Sequence, residues 1–378
     1  MLSARAVKPG TSRGNNFDAL RLVAATTVLV LHCWPVVGQS TVPRVHGLGL
    51  NAAAVMVFFV ISGFLLAQSW TLEPRLGRFL AKRALRIYPA LILVLVLSTF
   101  VLGPVVTTLP VREYLSHPET WGYLYNNLVF ETRYSLPGVF PDNPIPLAVN
   151  GPLWTLSPEV RSYAMLALVG LVGFLRSRVL TAGLLAVLLV GPELAPERAG
   201  DLMVAPLYVQ CFAIGSFLYV FRQIVPWHWA IAAGLVAAWL VVGGDAAPAA
   251  GGSPTTLLAA LAIPYTTIFL AYNTPKRIQL LTDRGDLSYG IYIWGSPVQE
   301  TVQHLWGRGL SPLGLLAMAL PITVLCAAGS WFLVERPALR FKARRVSKRP
   351  MAEDLDPGRS RQRRAALKQG ETPAESVP

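Results

Sequence analysis

An arginine and a histidine, Arg21 and His32, lie within the first long apolar segment of the sequence. Eleven residues are about three turns of an α-helix, so the two side chains share one face about 16 Å apart. A guanidinium binds phosphate well, and an imidazole is the usual general base. The pair therefore suits a phosphate-bearing donor that lies along the helix with its reactive end at His32. The alternative is that Arg21 anchors the helix at a membrane surface and that His32 bonds a backbone carbonyl.

A second basic group precedes and enters the third apolar segment, and it comprises Arg78, Lys82, Arg83 and Arg86. Arg83 and Arg86 are about one helical turn apart and share a face, which makes them a further candidate site for phosphate. The same residues also suit the ordinary role of keeping a loop on the cytoplasmic side of a membrane. Both interpretations stay open from the sequence.

A carboxylate, Glu159, closes the segment 150–159, which reads NGPLWTLSPE. Ser157 is the predicted N-cap of the following helix and Pro158 its first residue, so that Glu159 would favour the helix dipole. The other interpretation is functional: Glu159 would be the partner of the imidazole or would orient the acceptor.

The elements that must position these residues are membrane helices. Of the 378 residues, 53% are hydrophobic and only 14% are charged, against about 25% charged in soluble domains. Backbone amides in lipid must be satisfied within their own segment, so long apolar runs are read as helices. The sequence predicts an all-α, polytopic bundle of ten spans, near residues 18–37, 48–69, 84–103, 159–175, 179–195, 202–221, 225–243, 255–272, 287–306 and 311–334.

Lysine and arginine predominate in alternate loops, which predicts that both termini are cytoplasmic and that the protein is a multi-pass protein of the cytoplasmic membrane. The expected parts are a cytoplasmic segment 1–16, a membrane domain 17–337 and a basic, disordered tail 338–378. The loop 104–158 is rich in Pro, Asn and aromatic residues and is predicted to be an ordered extracytoplasmic cap over a cavity. Lipid is the expected partner of the tail, and no nucleic-acid partner is expected because no folded nucleic-acid module accompanies the charge.

Other catalytic motifs are missing from the sequence. It has no Gly-x-x-x-x-Gly-Lys-Ser/Thr loop, no His-Glu-x-x-His and no Gly-x-Ser-x-Gly. The three cysteines lie in apolar stretches without the paired spacing of a zinc site. The small residues in 58–63 and 288–294 are assigned to close helix packing.

Six motifs in order resemble the acyltransferase 3 family of membrane-bound O-acyltransferases. They are FDALR with a histidine after ten further residues (17–32), FFVISGFL (58–65), RALRIYP (83–89), GPLWTLSPE (151–159), SYGIYIW (288–294) and VERP (334–337). The resemblance covers about residues 17–337. Two positions depart from many relatives, since Met56 replaces an Asp and Gly295 replaces a His.

The resemblance implies transfer of an acyl group, often acetyl from acetyl-CoA, to a hydroxyl of a cell-surface glycan, or of a macrolide or other small molecule. It implies His32 as the catalytic histidine, with Glu159 as a candidate partner, and Arg21, Arg83 and Arg86 on the donor side. Candidate substrate-binding residues from the same motifs are Asp18, Ser62, Trp154 and Tyr292. Acyl-CoA is expected as a donor substrate rather than a bound cofactor, no metal is expected, and a homo-oligomer is compatible with the sequence.

Two other function classes are weighed against this interpretation. A small-molecule transporter would also have many helices and intramembrane charge, but no repeat with matching broken helices is found between the two halves. A glycosyltransferase that uses a lipid-linked sugar would want an acidic residue early in an outer loop. The first such loop, 38–47, contains no Asp or Glu.

Overall fold

The computed structural model describes residues 16–194, 206–242, 254–275, 282, 285–307 and 309–340. By its internal contacts the chain divides into two units, Met1–Glu335 and Arg336–Pro378. The predicted cytoplasmic segment 1–16 and the predicted tail 338–378 lie almost entirely outside the described residues.

The described chain is mostly α-helical. The helices are α1 (Phe17–Val36), α2 (Leu50–Leu72), α3 (Leu76–Leu97), α4 (Gly103–Val106), α5 (Val111–Ser116), α6 (Pro118–Leu128), α7 (Leu156–Leu171), α8 (Arg178–Leu194), α9 (Pro206–Val220), α10 (Trp229–Val242), α11 (Pro254–Asn273), α12 (Ser288–Trp306) and α13 (Pro312–Ser330). Two short strands, β1 (Arg44–Val45) and β2 (Leu48–Gly49), pair antiparallel with Val45 opposite Leu48. The π-helical segments Ser98–Leu102 and Trp331–Glu335 follow α3 and α13, and 3-10 turns Gly151–Thr155 and Phe174–Arg176 flank α7.

Each of the ten apolar segments of the sequence coincides with a helix, which confirms the helical fold class. By length and composition, four described helices are able to cross a membrane: Phe17–Val36, Leu50–Leu72, Leu76–Val106 and Pro312–Arg340. Four further apolar helices are shorter, and α10, with 14 residues, is about 21 Å long against about 30 Å of hydrocarbon. The remaining two, α7 and α12, carry polar residues along their length. Ten spans and the side of each terminus therefore stay predictions.

Helix α2 lies in the middle of the bundle and packs most extensively against α9, and α12 packs against α1 and α13. A Cβ atom on Gly63 would lie 2.0 Å from the carbonyl oxygen of Phe212, and one on Gly215 would lie 2.3 Å from that of Val60. Only glycine allows α2 and α9 to approach so closely. The packing role predicted for the small residues of 58–63 is thereby confirmed at Gly63.

The segment 104–158 is ordered, as its composition predicted. Tyr114 is fully buried and donates to the carbonyl of Thr99 at 2.8 Å. The side chain of Asn127 donates to the carbonyls of Tyr123 and Arg133 and accepts from the backbone N–H of Arg133. Part of this segment lines a cavity that also contains His32, as a cap would, and its position outside the cytoplasm stays a prediction.

Candidate active site

His32 faces a cavity of about 650 Å³ formed by α1, α2, α9, α12 and the segment 104–158. Four aromatic side chains dominate its wall: Tyr134, Trp154, Tyr208 and Tyr292. Trp154 packs edge-on against Tyr208 with 5.4 Å between the ring centroids. The described residues that line this histidine cavity include no Asp, Glu, Lys or Arg. Its walls are therefore suited to an uncharged molecule with hydroxyl groups and apolar faces.

The imidazole of His32 is held by Gln299 of α12, at 3.2 Å between Nδ1 and Oε1. Gln299 is fully buried. This partner differs from the predicted one, because the carboxylate of Glu159 accepts instead from Ser62, at 3.3 Å, and from Tyr163. Sequence reasoning missed Gln299 because it considered only ionisable groups in the apolar segments. A buried amide within a predicted membrane span is also a functional candidate, and that signal was present in the sequence.

Gly151 lies beside the other ring nitrogen of His32, and α12 holds it there. Pro297 has no N–H to offer the carbonyl of Ile293, four residues earlier in α12, and that carbonyl accepts from the side chain of Asn150 at 2.9 Å instead. The backbone N–H of Gly151 donates to Ser296 at 3.3 Å. A Cβ atom on Gly151 would lie 3.5 Å from His32 Nε2, so the space next to this nitrogen is open only because residue 151 is glycine.

Helix α7 begins earlier than predicted. The 3-10 turn Gly151–Thr155 runs directly into the helix, whose N-cap is Thr155 rather than Ser157. The hydroxyl of Thr155 donates to the carbonyl of Pro152 at 3.0 Å and lies 2.8 Å from the hydroxyl of Tyr292. Glu159 remains in the first turn of α7, where a carboxylate favours the helix dipole.

The three arginines predicted on the donor side come together in the structure. Arg21 and Arg86 both lie close enough to Arg83 to act on it electrostatically, and we call the three residues the arginine cluster. Arg21 pairs with Asp18 at 3.4 Å, where the Asp18 side chain is largely exposed. The buried Nε of Arg83 has no hydrogen-bond partner in the described part of the chain. An unsatisfied buried donor costs about 1–3 kcal/mol, so Arg83 is the member of the cluster best placed to gain from an anionic ligand.

Arg86 already has a protein partner, Asp286, at 2.5 Å, and sequence reasoning did not identify it. Asp286 also accepts from the backbone N–H of Ser288 at 3.1 Å and from its hydroxyl. Burial opposes ionisation of Asp286, but Arg86, Arg21 and Ser288 outweigh it, so the pKa of this carboxyl lies below its ordinary value. The ion pair ties the start of α12 to α3 at the arginine cluster.

The other two members of the basic group, Arg78 and Lys82, already pair with a carboxylate of the protein. Arg78 and Lys82 both donate to Glu73, the latter at 2.8 Å. Hydrogen bonds from Lys82 and Arg78 lower the pKa of Glu73 to about 2. These two cations therefore fit the anchoring interpretation, whereas Arg83 fits the phosphate interpretation.

One carboxylate, Glu159, interacts electrostatically with both the arginine cluster and the histidine cavity. Glu159 interacts electrostatically with Arg83 and also with Tyr292, and Tyr292 lines the cavity. Helices α1 and α12 run side by side from Arg21 and Asp286 to His32 and Gln299. The structure thus brings Asp18, Arg21, Arg83 and Arg86 into one group and His32, Trp154 and Tyr292 into another, and Glu159, which accepts from Ser62, interacts electrostatically with members of both groups.

Comparisons with known proteins agree with this arrangement. A family profile described as an acyltransferase domain, Acyl_transf_3, matches residues 15–335. An O-acetyl transferase of Shigella phage Sf6 is 29% identical over 89% of this chain and 99% of its own length. Nodulation protein 10 of Rhizobium leguminosarum bv. viciae is 28% identical over 89% of this chain and 96% of its own. Acyltransferase MdmB of Streptomyces mycarofaciens is 24% identical over 92% of this chain and 97% of its own. No solved structure is significantly similar to the chain.

The profile covers most of the chain, and the relatives align over nearly their whole lengths. The resemblance seen in the six motifs is confirmed, and the chain belongs to the Acyl_transf_3 family and is an O-acyltransferase.

Proposed function

We propose that the protein moves an acetyl group from acetyl-CoA to a hydroxyl of a cell-surface or exported glycan, with His32 as the general base. The observation that carries this proposal is the position of His32 in an uncharged, aromatic cavity, with Glu159 in electrostatic range of both this cavity and the arginine cluster. The name of the phage relative, O-acetyl transferase, supports acetyl as the acyl group.

The donor binds with its phosphates on the arginine cluster and its thioester at His32. Arg83 supports this placement, because among the described residues it has no carboxylate partner, unlike Arg21 and Arg86, and a phosphate would supply the opposite charge. Arg21 and Arg86 add positive charge, although each is partly neutralised by Asp18 or Asp286. In this proposal the pantetheine arm runs from the arginine cluster past Glu159 and Ser62 to His32.

The acceptor enters the histidine cavity from the side opposite the arginine cluster. His32 Nε2 takes the proton of the acceptor hydroxyl while its oxygen attacks the thioester carbonyl. The C–S bond then breaks, and the leaving CoA thiolate takes the proton from the imidazolium. In a second route His32 first forms a covalent acyl-histidine, which the acceptor hydroxyl then attacks, and the products are the same. The aromatic walls suit the apolar faces of a neutral sugar, and a macrolide or other small molecule with a hydroxyl is the alternative acceptor.

This placement of donor and acceptor assumes the predicted membrane topology. Ten spans with both termini in the cytoplasm put the arginine cluster at the cytoplasmic face and the segment 104–158 outside. Donor and acceptor then meet within the cytoplasmic membrane without either crossing it. Homo-oligomerisation is compatible with this arrangement.

The direct test is acetyl transfer by the purified protein in lipid nanodiscs, with radiolabelled acetyl-CoA and surface glycans or secreted metabolites as acceptors. General-base assistance typically contributes about 10²- to 10⁴-fold, so His32→Ala is expected to lower kcat by that factor and leave the melting temperature unchanged. His304→Ala, whose ring packs against Phe140, is the matched control and is expected to keep full activity. Transfer by His32→Ala at the wild-type rate would exclude His32 as the base.

The donor assignment has its own variant pair. Arg83→Ala is expected to raise the KM for acetyl-CoA more than the KM for the acceptor, because the lost contact is to the donor. Arg78→Ala, which removes an arginine already paired with Glu73, is expected to change neither. Equal effects of Arg83→Ala on both KM values would contradict the proposed donor site.

A further inference from the structure

The hydrogen bonds of Gln299 determine which nitrogen of His32 carries the proton. The amide nitrogen of Gln299 lies 2.7 Å from the carbonyl oxygen of Leu29 and 2.9 Å from the sulfur of Cys33. A backbone carbonyl can only accept a hydrogen bond, so the amide nitrogen must face Leu29. The amide oxygen is then the atom that faces His32 Nδ1 at 3.2 Å.

An amide oxygen also only accepts, so Nδ1 of His32 must be the donor. In the neutral imidazole the other nitrogen, Nε2, then carries the lone pair. With the proton on Nε2 instead, the lone pair of Nδ1 would face a lone pair of the amide oxygen. A flipped amide would avoid that clash, but it would set the amide oxygen against the carbonyl oxygen of Leu29. Three contacts on one turn of α1 therefore select a single tautomer.

We propose that Gln299 is a positioning residue that fixes His32 as the tautomer with its proton on Nδ1, and so makes Nε2 the catalytic base. This rests on the proposed function, because it assigns the base of that reaction. Nε2 is the nitrogen beside Gly151, and Gly151 lines the histidine cavity together with His32. The tautomer selected by Gln299 is thus the one that presents its lone pair where the acceptor enters.

In the described part of the chain, no carboxylate accepts a hydrogen bond from His32 in place of Gln299. The titratable groups that share its cavity are the phenols of Tyr134, Tyr208 and Tyr292. Cys33 accepts from Gln299 and donates to Leu29. Glu300, which follows Gln299 in α12, accepts from Asn143 at 2.7 Å.

The test combines kinetics with nitrogen NMR of the full-length protein in lipid bilayers, labelled with ¹⁵N on histidine. The two ring nitrogens report directly which of them is protonated, and the His32 signals are identified by their loss in His32→Ala. Three variants are compared with the wild type: Gln299→Leu, Gln299→Glu and Gln303→Leu. Gln303 is the matched control, because it is a buried glutamine one turn further along α12 that bonds Gly307 rather than His32.

We expect wild-type His32 to be protonated at Nδ1. Gln299→Leu removes the acceptor, so the Nε2-protonated form should appear and kcat should fall, at most by the about 10²- to 10⁴-fold that general-base assistance contributes, with little change in KM. Gln299→Glu retains an acceptor oxygen opposite Nδ1, and its protonated carboxyl can also donate to the carbonyl of Leu29 as the amide does, so this variant should keep both the tautomer and more of the activity than Gln299→Leu. Gln303→Leu should change neither the spectrum nor kcat.

Wild-type His32 protonated at Nε2 would overturn the proposal, as would a Gln299→Leu variant with the wild-type tautomer and kcat. Should Gln299→Leu fail to fold, the wild-type spectrum and Gln299→Glu still decide the question. The spectrum needs no turnover. A wild-type protein without transferase activity would therefore refute the proposed function, and the NMR result would stand separately.

Discussion

Replacement of Gly151 by alanine is expected to disable the enzyme without unfolding it. The added Cβ atom would lie 3.5 Å from His32 Nε2 and 3.9 Å from Cε1, which are ordinary contact distances. The backbone of Gly151 is not in the left-handed region, so alanine can adopt its conformation. The loss of backbone freedom in the unfolded chain should then favour folding by about 0.4–1 kcal/mol.

The same methyl group obstructs the proposed reaction. A hydroxyl that donates to Nε2 places its oxygen about 2.8 Å from that nitrogen, and this oxygen cannot approach a methyl carbon much closer than about 3.3 Å. With Cβ at 3.5 Å from Nε2, these lengths exclude the oxygen from a cone of roughly 60° half-angle about the Nε2–Cβ direction. A displacement of about 1 Å at a reacting atom can cost about 100-fold in rate. We therefore expect kcat/KM to fall about 10- to 100-fold.

The assay measures acetyl transfer and the melting temperature of Gly151→Ala in the same nanodisc preparation. Gly234→Ala in α10 is the control, because nothing lies within 4 Å of the added Cβ atom there. It is expected to retain full activity. A Gly151→Ala protein with wild-type kcat/KM would show that the hydroxyl does not reach Nε2 from the side of Gly151, and the geometric reasoning would fail.

Two further predictions concern Asp286 and Trp154. The pKa of Asp286 lies below its ordinary value, so its stabilising pair with Arg86 is complete above about pH 4 and is lost as the pH falls through the lower folded-state pKa. Asp286→Asn should lower the melting temperature at pH 7 and flatten its decline below pH 4, whereas parallel pH curves for variant and wild type would contradict this role. Trp154→Ala should raise the KM for a glycan acceptor about 2- to 10-fold, the factor that corresponds to 0.5–1.5 kcal/mol of ring contact. Its KM for acetyl-CoA should stay constant, and a rise confined to the donor would place Trp154 outside the acceptor site.

The positions of the helices could be predicted from the sequence because the long apolar runs have one stable solution in lipid. The placement of Arg21 and His32 on one helix followed from the apolar run that contains both. The length of each helix did not follow in the same way, because hydropathy shows where a segment is apolar and not where its backbone turns. Helix α10 is shorter than the apolar run that predicted it.

The partners of the site residues were less predictable. Glu159 and Gln299 are both polar groups in predicted spans, and only the packing of α1 against α12 shows that Gln299 is the one in contact with His32. The start of α7 was misplaced at Ser157 because the Ser-Pro-Glu pattern is typical of a helix start, while the preceding 3-10 turn already supplies the first helical residues. Asp286 was missed since its contact with Arg86 spans 200 residues of sequence.

The contact between His32 and Gln299 spans 267 residues. During synthesis α1 emerges first, and its imidazole has no fixed proton until nearly the entire polypeptide has been made and α12 has docked beside it. A chain truncated before α12 should accordingly consume little of the cell's acyl thioester, since nothing in it fixes the proton on Nδ1 of the imidazole.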